Sequence, residues 1–199
     1  MNLSIFAAFV LIAFNAGALA ENCPDGSEIY AWGIDEEGKR TVVDEHNRYR
    51  QMILDGTVPN QPKGRDVLLI EGFDDNLANE GRKVSKNCKM EHIIGSDDRW
   101  SWVGQNLYIS WSSENSPGQD WAAAVNSWYS EHKNFIYPDQ STGVTGHYTQ
   151  VIWHDSNTLG CDFIQYYDKN QPQYPYAKLY TCNYGPGGNW QGEAPYERA

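Results

Sequence analysis

Apolar residues recur at helical spacing in three stretches of this 199-residue chain. The first stretch covers residues 38–54, where one stripe carries Val42, Val43, His46, Tyr49, Arg50 and Ile53. The second covers Asp75 to Cys88, with a stripe of Leu77, Gly81, Val84 and Cys88. The third covers Asp120 to Phe135, with Trp121, Val125 and Trp128 at steps of four and three. Side chains three and four residues apart share one helix face, so each stretch predicts an amphipathic helix.

Glu131 lies three residues beyond Trp128 and therefore falls on the same inward stripe of the third predicted helix. A carboxylate on a buried face needs a partner, because the isolated burial of a charge is costly. The pattern thus marks Glu131 as a residue with a specific polar contact.

Alternating positions predict strands in the last third of the chain. Between His147 and Trp153, one face would carry His147, Thr149, Val151 and Trp153. Two further strands are predicted at Gly160 to Tyr167 and Ala177 to Tyr184, and Gln105 to Trp111 is either a strand or a short helix. Helices followed by strands indicate an α+β layered fold rather than alternating βαβ units.

The N-terminal segment has the pattern of a secretory signal peptide. Residues 2–20 carry no charge, and an apolar run of about ten residues ends in Ala18-Leu19-Ala20. The run is too short to span a bilayer, which needs roughly twenty residues. We expect a signal peptide at 1–20, an irregular N-terminal arm at 21–37 and one domain at 38–199. A buried N-terminal strand or helix is the alternative, and nothing later in the chain predicts membrane insertion.

Composition and charge exclude several function classes. Acidic residues outnumber basic ones 26 to 15, for a net charge of −11, whereas nucleic-acid binding needs clustered Lys and Arg. No run of five basic residues is present, which also argues against an anionic membrane surface as target. A chain that is 40% hydrophobic can bury a core. These numbers predict a soluble acidic domain and identify no partner.

Four cysteines, Cys23, Cys88, Cys161 and Cys182, follow the predicted signal peptide. In an oxidising compartment they would form two disulfides, and four cysteines allow three pairings. No CxxC pair is present, so a zinc knuckle or a redox motif is not expected. Two disulfides would leave no free thiol for nucleophilic catalysis.

Common catalytic motifs are missing from the sequence. It contains no Gly-x-Ser-x-Gly, P-loop, His-Glu-x-x-His or Gly-x-Gly-x-x-Gly pattern. Three Glu-His dipeptides have the wrong order for a zinc protease, and taken singly the five histidines are typical of structural or exposed positions.

Four further motifs are recognisable together. Gly146 to Trp153, followed by Leu159-Gly160-Cys161, resembles the principal signature of the CAP superfamily, and Tyr180 to Asn189 resembles the second signature. His46 to Arg50 is similar to the family's first-helix motif, and Gly104 to Leu107 to its short motif before the third helix. This superfamily comprises cysteine-rich secretory proteins, antigen 5 and pathogenesis-related 1 proteins. The chain most resembles the venom allergen 5 subgroup, because it has Gln105 where many relatives have Glu and lacks a cysteine-rich C-terminal module.

The resemblance implies a three-layer α-β-α sandwich with two disulfides, Cys161–Cys182 and Cys23–Cys88. It also implies a central cleft formed by His92, Gln105, Glu131 and His147. Two imidazoles and a carboxylate can bind Zn²⁺, but the neutral Gln105 would weaken that binding and cannot act as a general base. We therefore expect no required cofactor and no catalytic residue. A cleft with weakly bound Zn²⁺ and one whose histidines are held by hydrogen bonds alone both stay open.

Three functions follow from the resemblance. The first is a secreted, extracellular and monomeric effector of the venom or salivary type, which modulates a host protein or an ion channel without enzymatic activity. The second is a carrier of a sterol, fatty acid or eicosanoid, with lipid contacts at Tyr108, Trp111 and Trp121 beside the Ser112–Gln119 loop. The third and least favoured is a metal-dependent or His/Glu protease.

Overall fold

The computed structural model describes residues 22–199, with only the backbone at 140 and 141. The predicted signal peptide therefore lies outside the described residues. The helices are α1 (Glu36–Asp55), α2 (Asp75–Ser85), α3 (Trp121–Ser130) and α4 (Gly146–Val151). The strands are β1 (Ile29–Trp32), β2 (Gly72–Phe73), β3 (Gly104–Ser112), β4 (Phe135–Ile136), β5 (Gln140–Ser141), β6 (Thr158–Tyr167) and β7 (Tyr176–Gly185).

One sheet forms the middle layer. Its main strands follow the order β1-β6-β7-β3, all in antiparallel pairs, and the short β2 pairs parallel to β6. Helix α2 packs on one face against β6 and β7, while α1, α3 and α4 pack together on the other face. The structure thus confirms the α+β fold class and the three-layer α-β-α sandwich.

The long helices begin and end where local chemistry dictates. The Asp35 side chain accepts the Gly38 N–H at the start of α1, and Gly56 ends this helix in the left-handed conformation. The Asp74 side chain caps α2 in the same way by accepting the Leu77 N–H. Helix α2 ends at Ser85, three residues earlier than predicted.

Close backbone packing fixes α2 on the sheet at Gly160. A Cβ at this position would lie 2.1 Å from the Asp74 carbonyl oxygen and 2.4 Å from the Ala78 nitrogen. Only glycine leaves room for this approach.

Both disulfides implied by the family resemblance are present, Cys23–Cys88 and Cys161–Cys182. Cys161 and Cys182 face each other on β6 and β7. Cys23 and Cys88 lie in the smaller core cluster between α2 and the sheet, so their bond ties the N-terminal arm to this layer. The arm is less irregular than predicted, because Ile29–Trp32 pairs with β6.

The predicted strand at His147 to Trp153 is wrong: Gly146–Val151 is the helix α4. The segment carries a run of buried side chains instead of one buried and one exposed face, because Tyr148, Gln150, Val151, Ile152 and Trp153 are all buried. Such a run does not distinguish a strand from a short buried helix. Contacts with distant segments decide in favour of the helix.

The third predicted helix is also shorter than expected. Helix α3 ends at Ser130, and a single 3₁₀ turn, Glu131–Asn134, follows it. Glu131 therefore stands at the junction of the two elements, where its side chain reaches α4. No helix among residues 22–199 is long and apolar enough to cross a membrane.

Candidate functional site

The four residues of the predicted cleft form two hydrogen-bonded pairs. His92, in the loop after α2, has its Nδ1 atom 2.9 Å from Oε1 of Gln105, at the start of β3. His147, in the first turn of α4, has its Nδ1 atom 2.7 Å from Oε1 of Glu131. Each imidazole is thus held through Nδ1 by an oxygen acceptor.

The first pair belongs to a chain of hydrogen bonds that starts at a backbone carbonyl. Asn183 Nδ2 donates to the Leu77 oxygen at 3.0 Å, which turns Asn183 Oδ1 toward Gln105, its direct partner across β3 and β7. Gln105 Nε2 donates to this Oδ1 and to the Ile93 carbonyl oxygen, both at 2.9 Å. Gln105 Oε1 is then the atom facing His92, so His92 Nδ1 carries the proton. The lone pair of His92 lies on Nε2.

The second pair also caps a helix. Glu131 Oε2 accepts the backbone N–H groups of His147 at 3.0 Å and Tyr148 at 3.2 Å. The N-cap residue of α4, Thr145, makes no capping hydrogen bond with its own side chain. The Glu131 carboxylate therefore satisfies the free N–H groups of this helix and fixes the His147 ring with its other oxygen. This arrangement places the proton on His147 Nδ1 and the lone pair on Nε2.

Strand β3 holds the two pairs together. It is an edge strand of the sheet, and successive side chains point to opposite faces, so Gln105 and Asn106 diverge. Asn106 Nδ2 donates to the His147 carbonyl oxygen at 3.0 Å and thereby joins β3 to α4. At Gly104, a Cβ would lie 2.1 Å from Gln150 Oε1, so glycine permits this close contact. The pairs flank one edge of the sheet.

A buried histidine lies behind this edge. His46 Nδ1 donates to the Val42 carbonyl oxygen at 2.6 Å, and its Nε2 accepts from the Tyr184 hydroxyl at 2.9 Å. Asn106 also donates to this hydroxyl, at 3.2 Å. Burial lowers the pKa of His46 to about 3, and the nearby Arg50 contributes to this lowering. His46 is a neutral structural residue.

Two residues of the site were not assigned a role by the sequence. Asn106 lies in the Gly104–Leu107 motif and Asn183 in the Tyr180–Asn189 motif, so the motifs marked their positions. Their roles depend on the register of β3 and β7, which the sequence pattern does not define.

The donor atoms are suited to a metal, but the described residues do not bring three such ligands together. Neutral imidazoles with a free Nε2 and an anchored Nδ1–H are typical zinc ligands. Among residues 22–199, no group of three or more His, Cys, Asp or Glu side chains is placed to hold a metal ion. The geometry shows two imidazoles, each oriented by its own acceptor.

The three aromatic residues predicted to contact lipid occupy two different environments. Tyr108 and Trp111 line a cavity of about 230 Å³ together with the loop before α3. Trp121 is only 2% exposed and packs edge-on against Tyr180 in the core. The cavity is therefore walled by Tyr108 and Trp111 without Trp121.

Comparison with known proteins adds sequence relatives. The CAP, or cysteine-rich secretory protein, family matches residues 43–184. A venom allergen 5 of Polistes fuscatus is 32% identical over 189 residues, covering 90% of this chain and 88% of the relative. A venom allergen 5 of Microctonus hyperodae is 33% identical over 190 residues, covering 90% of this chain and 78% of the relative. A CRISP/Allergen/PR-1 protein of Trittame loki is 33% identical over 182 residues, which cover 86% of this chain. The same residues cover only 44% of that relative, so the chain spans less than half of its length.

Solved structures show the same fold. The venom allergen-like protein 4 of Schistosoma mansoni superposes with a TM-score of 0.62 at 23% identity, over 83% of this chain and 97% of that protein. NaASP2, solved with Zn²⁺, gives a TM-score of 0.62 at 23% identity, over 89% of this chain and 91% of that protein. The shared sandwich and the match over residues 43–184 agree with the four motifs and the two disulfides, and the chain belongs to the CAP, or cysteine-rich secretory protein, family.

Proposed function

We propose that this chain is a secreted, non-enzymatic CAP effector of the venom or salivary allergen 5 type, which acts by binding a target protein. The observation that carries the proposal is a set of exposed apolar side chains close in sequence to the site residues. We call these four side chains the cleft rim, and their exposed fractions are 50, 50, 38 and 65%: Met90, Ile94, Trp102 and Val144.

The cleft rim lies next to the site residues in the chain. Met90 and Ile94 flank His92, while Trp102 precedes Gln105 by three residues and Val144 precedes His147 by three. Exposed apolar side chains around a polar centre are typical of protein-binding surfaces.

The polar groups of the site support binding rather than turnover. Glu131 accepts three hydrogen bonds from α4 and its histidine, and Gln105 is a neutral amide. All four cysteines are in disulfides, so none supplies a thiolate. Related proteins named venom allergen 5 and salivary antigen-5 support the class of effector.

Saturable binding of the labelled chain to intact target cells tests this proposal. Replacing Met90 and Ile94 by Gln is expected to abolish binding, while Ile136→Gln, at an equally exposed position on β4, is expected to leave it intact. Binding that survives the rim variant, or the absence of saturable binding, would refute the proposal.

Patch-clamp recordings on voltage-gated channels test separately whether the target is an ion channel. No effect on the recorded currents at micromolar protein would eliminate that version of the proposal.

Secretion is tested by expression of the full chain in insect cells. We expect the medium to contain a protein whose N-terminal sequence starts at Glu21, after the predicted signal peptide. A retained, uncleaved chain would contradict this expectation.

A lipid carrier is the second candidate, supported by the cavity of about 230 Å³ beside Tyr108 and Trp111. Trp111 is 41% exposed and donates to Asp168 Oδ2 at 3.1 Å. Native mass spectrometry of the purified protein is expected to show a bound sterol, fatty acid or eicosanoid, and its loss in Tyr108→Ser. A lipid-free sample after incubation with these lipids would eliminate this function.

A further inference from the structure

A second cavity, of about 400 Å³, is lined in part by α4. Its walls come from the segment that follows α3 and from the C-terminal tail. Gly146 and Thr149 of α4 line it together with Trp190, Asp139 and Glu193, and its described lining includes none of the four candidate-site residues.

The tail is firmly held where it forms this cavity. Asn189, with a φ of 62°, accepts the Thr149 hydroxyl at 2.7 Å and donates to the Gly146 carbonyl oxygen at 2.9 Å. The Glu193 N–H donates to the Trp190 carbonyl oxygen at 3.1 Å, which closes a turn. The anchored turn presents Trp190 with 46% of its surface exposed. A pre-organised aromatic side chain binds at a low entropic cost.

The charged lining of the cavity is acidic. Its charged members are Asp139 and Glu193, and within residues 22–199 no Lys, Arg or His contributes to the wall. Among the described side chains, neither carboxylate forms an ion pair with a basic residue. An indole face attracts a cation through its quadrupole, and Trp is the strongest partner of this kind. The net charge of −11 adds a long-range attraction for basic partners.

We infer that this cavity receives a Lys or Arg side chain from a basic segment of the target protein. The inference rests on the proposed function and specifies the chemistry of the partner. Trp190 provides the ring for the cation, and Asp139 and Glu193 provide the opposite charges. A Trp anchor beside a desolvated cation is a common centre of binding energy in protein interfaces.

Titration with a basic peptide tests the inference directly. The probe is a capped Gly-Lys-Gly-Lys-Gly peptide; calorimetric titration gives its affinity for every variant of the full mature chain, and NMR follows the indole N–H resonance of Trp190 wherever that residue is present. Joint replacement Asp139→Asn and Glu193→Gln is expected to weaken binding about tenfold, and Trp190→Leu about fivefold. Matched controls are Trp111→Leu, an exposed indole in another cavity, and Asp98→Asn, a carboxylate outside both cavities, which are expected to change affinity less than about twofold.

Three results of the titration would overturn the inference. They are equal binding of a peptide with norleucine in place of lysine, an equal loss in the Asp98→Asn control, and displacement of the Trp190 resonance by a neutral saccharide but not by the basic peptide. Thermal melting of each variant confirms that the fold is kept. Cell binding that survives the Asp139 and Glu193 replacements would refute this inference while leaving the proposed function intact. If the wild-type chain itself showed no saturable binding to the cells, the proposed function would be refuted instead.

Discussion

Replacing Glu131 by glutamine is expected to move the proton of His147 from Nδ1 to Nε2. The carbonyl oxygen of the introduced amide can still accept both backbone N–H groups of α4 that now point to Oε2. The amide nitrogen then faces His147 Nδ1, where the carboxylate Oε1 now stands at 2.7 Å. An NH₂ group can only donate, so Nδ1 has to become the acceptor. The free lone pair on Nε2 is lost.

The cost of this change follows from the hydrogen bonds that survive. In Glu131→Gln the helix keeps its cap, but its capping hydrogen bonds lose the carboxylate charge and the interaction of that charge with the helix dipole. We expect this loss to lower the free energy of unfolding by about 1 kcal/mol. In Glu131→Ala the cap is lost, for about 1 kcal/mol, and the bond to the imidazole is lost as well, for about 2 kcal/mol. The His147 and Glu131 side chains are 24% and 17% exposed, so water replaces part of both contributions. We expect about 3 kcal/mol as an upper value for the alanine variant.

Two measurements check this prediction. Urea unfolding gives the free energy of each variant, and long-range proton–nitrogen NMR spectra of the imidazole identify the protonated nitrogen. The control is Glu37→Gln, which removes an exposed carboxylate from the first turn of α1 and should leave both readouts unchanged within a few tenths of a kcal/mol. If His147 kept its proton on Nδ1 in Glu131→Gln, the carboxylate would not define the tautomer and the account of the site would be wrong.

Three further predictions address the interior and the site. Because burial lowers the pKa of His46 to about 3, the unfolded chain gains a proton below about pH 6.5 that the folded chain does not bind, and the free energy of unfolding should fall by about 2 kcal/mol between about pH 7 and pH 5. His46→Asn should lose this difference when urea unfolding is measured at both pH values, and an unchanged difference would contradict the assignment. Gln105→Glu should strengthen Zn²⁺ binding in calorimetric titrations by adding a negative charge beside His92, while lowering the free energy of unfolding, because a carboxylate oxygen would then face Asn183 Oδ1. Unchanged Zn²⁺ affinity would show that His92 is not a ligand. Gly160→Ala should destabilise the fold by about 3 kcal/mol through its clash with Asp74. A thermal melt indistinguishable from that of the wild type would disprove that packing argument.

The sequence predicted the elements whose stability is local. Helices α1 and α2 have an Asp cap and one apolar stripe each, and β6 and β7 are long runs of strand formers. Helix α4 has six residues and no side-chain cap of its own, so its N–H groups depend on Glu131, which lies 16 positions before His147. No pattern within residues 147–153 reports this contact, and the segment was therefore predicted as a strand.

The family resemblance implied the four residues but not how they pair. Positions 92 and 131 lie outside the four quoted motifs, and Glu131 also falls on the inward stripe of the third predicted helix. The partner of each histidine depends on three-dimensional neighbours: the register of β3 and β7 places Asn183 opposite Gln105, and the end of α3 places Glu131 against α4. Side-chain direction at a helix end is not encoded in a hydrophobic pattern.

Gln105 links the site to the surface that we propose for binding. Its amide donates to the Ile93 carbonyl oxygen and accepts from His92, so it fastens two consecutive residues of one loop to the edge strand. A carboxylate can only accept hydrogen bonds and would repel the Ile93 oxygen. The same loop carries Met90 and Ile94, each half exposed, on either side of these contacts. A neutral amide at position 105 therefore orders the loop that we propose for binding, and this amide cannot act as a general base.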